Sequence, residues 1–139
     1  MSEIRLAELR SVPLSADEVQ AAVSDPAAGG IAMFIGAVRD HDHGGAVLSL
    51  SYTAHPSAAA ELRRVAEKTA ASFAVRAVAA VHRVGDLAVG DLAVIVAVAC
   101  DHRDEAFEAC RFLIDELKAS VPIWKQQRFA DGSSEWVGA

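Results

Sequence analysis

No stretch of this sequence approaches the roughly 20 consecutive apolar residues that a bilayer span needs, and Met1 to Arg10 carries charges where a secretory leader would be apolar. A cytoplasmic protein with no membrane attachment is expected. Cysteine is scarce, with only Cys100 and Cys110, and each sits in a strongly apolar segment where a reduced, buried thiol is the common state. Basic residues are outnumbered, giving a formal net charge of −6, so the broad cationic surface required for nucleic acid or anionic lipid is missing. The glycine pairs at Gly29 and Gly44 lack the spacing of a nucleotide-binding loop.

Hydrophobic residues, in contrast, make up 53% of the 139, enough for one domain, residues 1–139, around a single core. Ser15 and Glu18 form a capping box that opens a short helix to about Ser24, which Asp25-Pro26 ends. The run Ile31 to Val38 has the length and boundaries of a buried strand, with Arg39 at its end. After a polar loop, Leu48, Leu50 and Tyr52 alternate with Ser49 and Ser51, and the two strands read as a hairpin. Pro56 suits a first helical turn, and Leu62, Val65, Thr69 and Phe73 share one side of the helix that follows.

Val75 to Val84 and Leu92 to Cys100 are nearly unbroken apolar runs, as central strands are. After Asp101 a helix to about Ser120 carries Phe107, Cys110, Ile114 and Leu117 as its apolar stripe, and Pro122 prevents its continuation. Asp131-Gly132 then marks a hairpin turn between Ile123–Phe129 and Ser134–Val137. The order of strands and helices predicts an α+β fold with a largely antiparallel sheet and flanking helices.

Charge is unevenly placed. From Lys118 to Arg128 there are three cations and no acid, while Asp104 to Leu117 holds five acids and one arginine. A local cationic site on an acidic protein suits a small anionic ligand. Lys118 lies in the last helical turn beside the buried stripe, and the Pro122 turn delivers Lys125 and Trp124 toward the same opening. A lysine crowded by another cation and partly desolvated has a lowered pKa and can move protons or attack carbonyls near neutral pH. A lysine that merely complements the helix dipole is the plainer alternative. His102 and Arg103, at a strand-to-helix junction, could hold an anion. His41, Asp42 and His43 have the residue types of a metal site but not its spacing, so no metal is expected. Cys100 and His102 raise a thiol–imidazole pair, though a core cysteine is the simpler reading.

Five segments together carry a resemblance: FIGAVRD (Phe34 to Asp40), LSY (Leu50 to Tyr52), CDHRDEAF (Cys100 to Phe107), LKASVPIWKQQ (Leu117 to Gln127) and DGSSEWV (Asp131 to Val137). In order and spacing they are similar to the molybdopterin synthase catalytic (large) subunit family. The resemblance implies an α/β hammerhead-type fold, a homodimer within a heterotetramer, and a small ubiquitin-like sulfur-carrier subunit as partner, whose C-terminal Gly-Gly thiocarboxylate donates sulfur. This chain closes on Val137-Gly138-Ala139, so it is not that carrier. The implied acceptor is cyclic pyranopterin monophosphate, which becomes molybdopterin on gaining its dithiolene. No cofactor is implied. Lys118 and Lys125 match the catalytic lysines, and Ala37, Val38, Arg39, His102, Arg103, Gln126 and Gln127 match the substrate pocket, with Arg39 expected from across the dimer. The family usually has glutamate where this chain has Thr53 and Gln127. A non-catalytic paralogue that dimerises and binds the carrier is the alternative implied.

Overall fold

A computed structural model describes residues 3–137; Met1, Ser2, Gly138 and Ala139 lie outside it, and with them the reading of the chain's last two residues. Two sheets organise the chain. The first has the order β1 (Ile4–Arg10), β5 (Val75–Arg83), β7 (Leu92–Cys100), β2 (Gly30–Ala37), with β1 parallel to β5 and the rest antiparallel. The second joins β3 (His41–Asp42), β4 (Gly45–Ala54), β8 (Ile123–Phe129) and β9 (Ser134–Val137), with β6 (Gly85–Ala88) also paired to β4.

The apolar runs of β5 and β7 are continuous because both faces of their sheet are covered. Val78, Ala80, Val94, Val96, Val98 and Cys100 point into a core closed by α2 (Ala58–Ser72) and α3 (Arg103–Ser120). The alternate residues, among them Ala79, Val81, Ile95 and Ala97, meet Val19 and Val23 at α1 (Ala16–Ala22). Side chains alternate along a strand, so one run feeds two cores. Truncating a fully enclosed core residue such as Leu62 or Leu113 to alanine costs roughly 2–5 kcal/mol in a site of this kind.

Local signals hold with adjustments. Ser15 Oγ accepts from the Glu18 amide at 3.2 Å, a cap that contributes about 1 kcal/mol. The reciprocal half of the box is not made, because the Glu18 carboxylate instead takes a hydrogen bond from Arg10 at 2.5 Å. Along α3 the buried stripe is Ala106, Ala109, Cys110, Leu113 and Leu117, and Phe107 is 66% exposed. The helix is rotated so that small alanines, not the phenylalanine, approach the sheet. Leu48 is likewise turned out, at 62% exposure, because a register shift between Val47 and Ser49 puts Val47 inside.

The larger correction concerns β2. Among the described residues it does not pair with β4; it is the terminal strand of the first sheet and β7 is its one partner strand. Ile31, Phe34 and Ile35 are each more than 40% exposed, so this apolar run is an open edge rather than a buried strand. At its start, Gly30 lies against the β7–α3 junction, where an added Cβ would come within 3.1 Å of Arg103 Cα. No helix among the described residues is long and apolar enough to cross a membrane.

Candidate functional site

Strand pairing accounts for most of the site. In β8 the residues Ile123, Lys125, Gln127 and Phe129 share one face, and the antiparallel register sets Lys125 opposite Tyr52 of β4 and Val137 of β9, with Gln127 opposite Leu50. Directly opposed residues project to the same side. Lys125, Tyr52 and Gln127 therefore face the same space. Trp124 and Gln126 take the other face of β8, where Trp124 meets His55 with ring centroids 6.4 Å apart. The aromatic ring beside the lysines is Tyr52, not Trp124.

Lys118 enters this space from the last turn of α3, where a cation also complements the helix dipole. The chain then turns at Pro122, whose carbonyl accepts from the His55 amide at 3.0 Å and so ties the turn to the end of β4. Tyr52, Lys118 and Lys125 form a wall common to two cavities. One, of about 160 Å³, is completed by His82, Leu117, Val121, Ile123 and Val137. The other, of about 120 Å³, takes in Ala37, Val38, Arg39, Asp42 and Gln127.

The electrostatics suit proton transfer at Lys118. Much of its side chain reaches solvent, yet the protein packed around the ammonium desolvates it, and that desolvation, reinforced by the Lys125 charge, lowers its pKa. Burial raises the Tyr52 phenol.

Asp42, whose side chain is 12% exposed, organises the second cavity. Its carboxylate accepts from Gln127 Nε2 at 2.7 Å and from Arg39 at 3.0 Å. The bond from Gln127, with a smaller contribution from Arg39, holds Asp42 below the usual carboxylate range. At the position where the resemblance implies glutamate, a second carboxylate would face Asp42 at hydrogen-bond distance, whereas the Gln127 amide donates. Asp42 also lies with His43 and Glu135 so that one ligand atom from each falls within 4.8 Å of the others. Both Asp42 oxygens are already engaged by Gln127 and Arg39. His41 pairs with Asp40 instead, at 2.8 Å.

Ala37, Val38, Arg39, Lys118, Lys125 and Gln127 are thus brought together within one chain. Gln126, His102 and Arg103 are not. Gln126 alternates to the far face of β8. His102 caps, and Arg103 begins, the N-terminal end of α3, whereas Lys118 is fifteen residues on, roughly 22 Å away along the axis. Cys100 and Cys110 are free thiols in the core, and burial pushes both upward in pKa, Cys110 to about 11, which leaves little thiolate for nucleophilic work. Cys100→Ala is expected to retain near-normal turnover in a steady-state assay; a loss beyond tenfold in a folded variant would reinstate the thiol.

Sequence reasoning did not single out Asp42, Tyr52 and His82 as members of this site. Only His82 left a local signal, an ionisable residue inside the apolar run of β5. It is 3% exposed, its Nδ1 lies 2.7 Å from the Arg83 carbonyl, and its ring meets Tyr52 edge-on at 4.9 Å. Burial, partly offset by that carbonyl, drives its pKa from 6.5 to about 4. Folding thus excludes a proton that the unfolded chain accepts. Above pH 6.5 this has no effect, and from pH 6.5 down to 4 it removes about 3 kcal/mol of stability. Urea titrations at pH 7 and pH 4 should show that loss in the wild type and not in His82→Gln; equal slopes in the two proteins would disprove it.

Comparison with known proteins agrees with this architecture. The family model described as MoaE protein matches residues 9–120. A molybdopterin synthase catalytic subunit 1 of Mycobacterium tuberculosis is 45% identical over 135 residues, spanning 94% of this chain and 88% of that one. The crystal structure of molybdopterin synthase from Staphylococcus aureus superposes with a TM-score of 0.89 at 28% identity, covering 100% of this chain and 99% of the other. A complex of subunits 1 and 2 of the molybdopterin-converting factor from Helicobacter pylori shares the fold, with a TM-score of 0.70 at 20% identity over 99% and 90% of the two chains.

Proposed function

Since this chain belongs to the MoaE protein family of molybdopterin synthase catalytic subunits, we propose that its two-cavity site transfers sulfur from a carrier's C-terminal thiocarboxylate to cyclic pyranopterin monophosphate, forming the dithiolene of molybdopterin. The observation that carries this reading is the shared wall of Lys118, Lys125 and Tyr52, with a narrow cavity on one side and a cavity holding Arg39 on the other. The first cavity suits an extended glycine tail, which needs width for backbone only. The second suits the anionic pterin.

The residue types fit the charges that develop. Attack on the acyl carbon of a thiocarboxylate makes an oxyanion, and opening a cyclic phosphate exposes further negative charge. Preorganised cations stabilise both. Lys118, with its lowered pKa, stands where the two cavities meet and can exchange protons with either reactant. Lys125 and Arg39 supply fixed charge. In each transfer the thiocarboxylate sulfur bonds to a carbon of the pterin side chain and an oxygen leaves that carbon as water; water then adds at the acyl carbon and breaks its bond to sulfur, which releases the carrier as its carboxylate, so two sulfurs take two carriers.

The assembly belongs to the same proposal. His102 and Arg103 lie out of reach in one chain, and β2 offers an unpaired apolar edge, the kind of strand that templates pairing with another chain. Antiparallel pairing of two β2 strands about the Met33–Phe34 step would set the partner's Gly30 beside Ala37. Gly30 packs on Arg103. A second copy thereby brings its α3 N-terminus toward the Arg39 cavity, and it is His102 and Arg103, rather than Arg39, that cross the interface.

The test is reconstitution: the protein is incubated with a thiocarboxylated carrier and the cyclic pterin, and the dithiolene product is detected. Product that requires both the protein and the thiocarboxylate is expected. Carrier binding without product would favour the non-catalytic alternative.

A further inference from the structure

Resting on the reading above, we infer that His82 is a positioning residue for Lys118, its unprotonated Nε2 accepting a hydrogen bond from the lysine ammonium and aiming it at the reacting acyl group. The tautomer follows from its partner. A backbone carbonyl can only accept, so the 2.7 Å contact with Arg83 requires the proton on Nδ1 and leaves the lone pair on Nε2. Tyr52, edge-on at 4.9 Å, fixes the ring plane. No described group donates to Nε2, which is not sealed in the core, and the ring lines the cavity that Lys118 also lines.

A core position among alanines and valines has no packing need for imidazole. Burying the ring is costly, and the Arg83 carbonyl satisfies one of its two nitrogens. The other is satisfied if the lysine turns to it. In the resting pocket the two are not hydrogen-bonded, but the Lys118 charge already acts on the ring. Rotation about the flexible lysine stem brings them together, and bonds of this type often tighten only when reactants are present.

The charged and titratable groups around Lys118 come from several elements. Lys125 projects from β8, Tyr52 from β4 and His82 from β5, while Arg39 and Asp42 lie in the adjoining cavity. Burial and the Lys125 charge disfavour the ammonium form, while Arg39 and Asp42 are paired with each other and Asp42 also accepts from Gln127. A neutral acceptor opposes the cations without placing a carboxylate in the path of an anionic substrate. That explains histidine here in place of aspartate or glutamate.

The experiment titrates Lys118 directly by NMR of isotope-labelled lysine side chains in the wild type, His82→Gln and His82→Phe, each with the carboxylate form of the carrier bound, alongside turnover. Losing the acceptor removes support for the cation, so in His82→Phe the Lys118 midpoint should move to lower pH. Turnover should fall roughly 10- to 100-fold, the range for one hydrogen bond to a charged group, with KM for the carrier little changed. Glutamine, which keeps an acceptor, should restore both. If His82→Phe does not fold, the imidazole nitrogen shifts of the wild type decide: an Nε2 that is unprotonated and responds to Lys118→Ala supports the role. A Lys118 midpoint identical in all three proteins, or a proton on Nε2, overturns it. Wild-type protein that shows the His82-dependent titration yet makes no dithiolene would refute the sulfur-transfer reading and leave this pairing standing.

Discussion

Replacing Lys118 with alanine is expected to lower dithiolene formation by at least about 10³-fold while leaving the chain folded, the combined size of a lost proton-transfer group and a lost oxyanion contact. The fold should survive because the ammonium lies outside the core and Leu117 and Leu113 keep the helix seated. Lys125→Ala should cost less, since Lys125 lies opposite Tyr52 in a sheet and supplies fixed charge. Single-turnover rates with thiocarboxylated carrier would measure both. Lys118→Ala turning over within tenfold of the wild type would remove this residue from the chemistry.

The second large effect concerns assembly. Lys118→Ala and Arg103→Ala proteins should each be nearly inactive, and mixing them under conditions of subunit exchange should restore activity to about a quarter of the wild type, because half the pairs are mixed and each holds one complete site. If both residues served a pocket within their own chain, mixing would restore nothing. The roughly 22 Å of helix between them makes complementation the expected result. An accompanying Phe34→Asp substitution, which places charge on the exposed β2 edge, should abolish the recovery and shift sedimentation toward the single chain.

Several features were legible in the sequence because they depend on neighbours in the chain. The Ser15 cap, the turn at Asp131-Gly132 and the burial of Leu62, Val65 and Thr69 along α2 follow from spacing alone. So does the meeting of Lys118 and Lys125, since the Pro122 turn leaves little choice of direction. What failed was long-range. An apolar run looks the same whether it has one neighbouring strand or two, so β2 could not be told from β7, and its supposed pairing with β4 followed from their nearness in sequence. The bulge at Leu48 and the rotation at Phe107 are set by partners far along the chain. Asp42, Tyr52 and His82 come from three separate strands, and a single sequence does not reveal that they converge. The family resemblance supplied the fold, but not the hydrogen bond that Gln127 donates to Asp42.

One consequence lies in the length of α3. In the proposed pair, a rigid rod whose opposite tips would serve different reaction chambers would make neither chamber independent of the other chain. Damage to a single rod disables the lysine of one chamber and the anion clamp of the next, so one faulty copy would silence a whole pair. On the same proposal dilution would do likewise, since separated chains would retain their lysines but lack the His102 and Arg103 of a second copy.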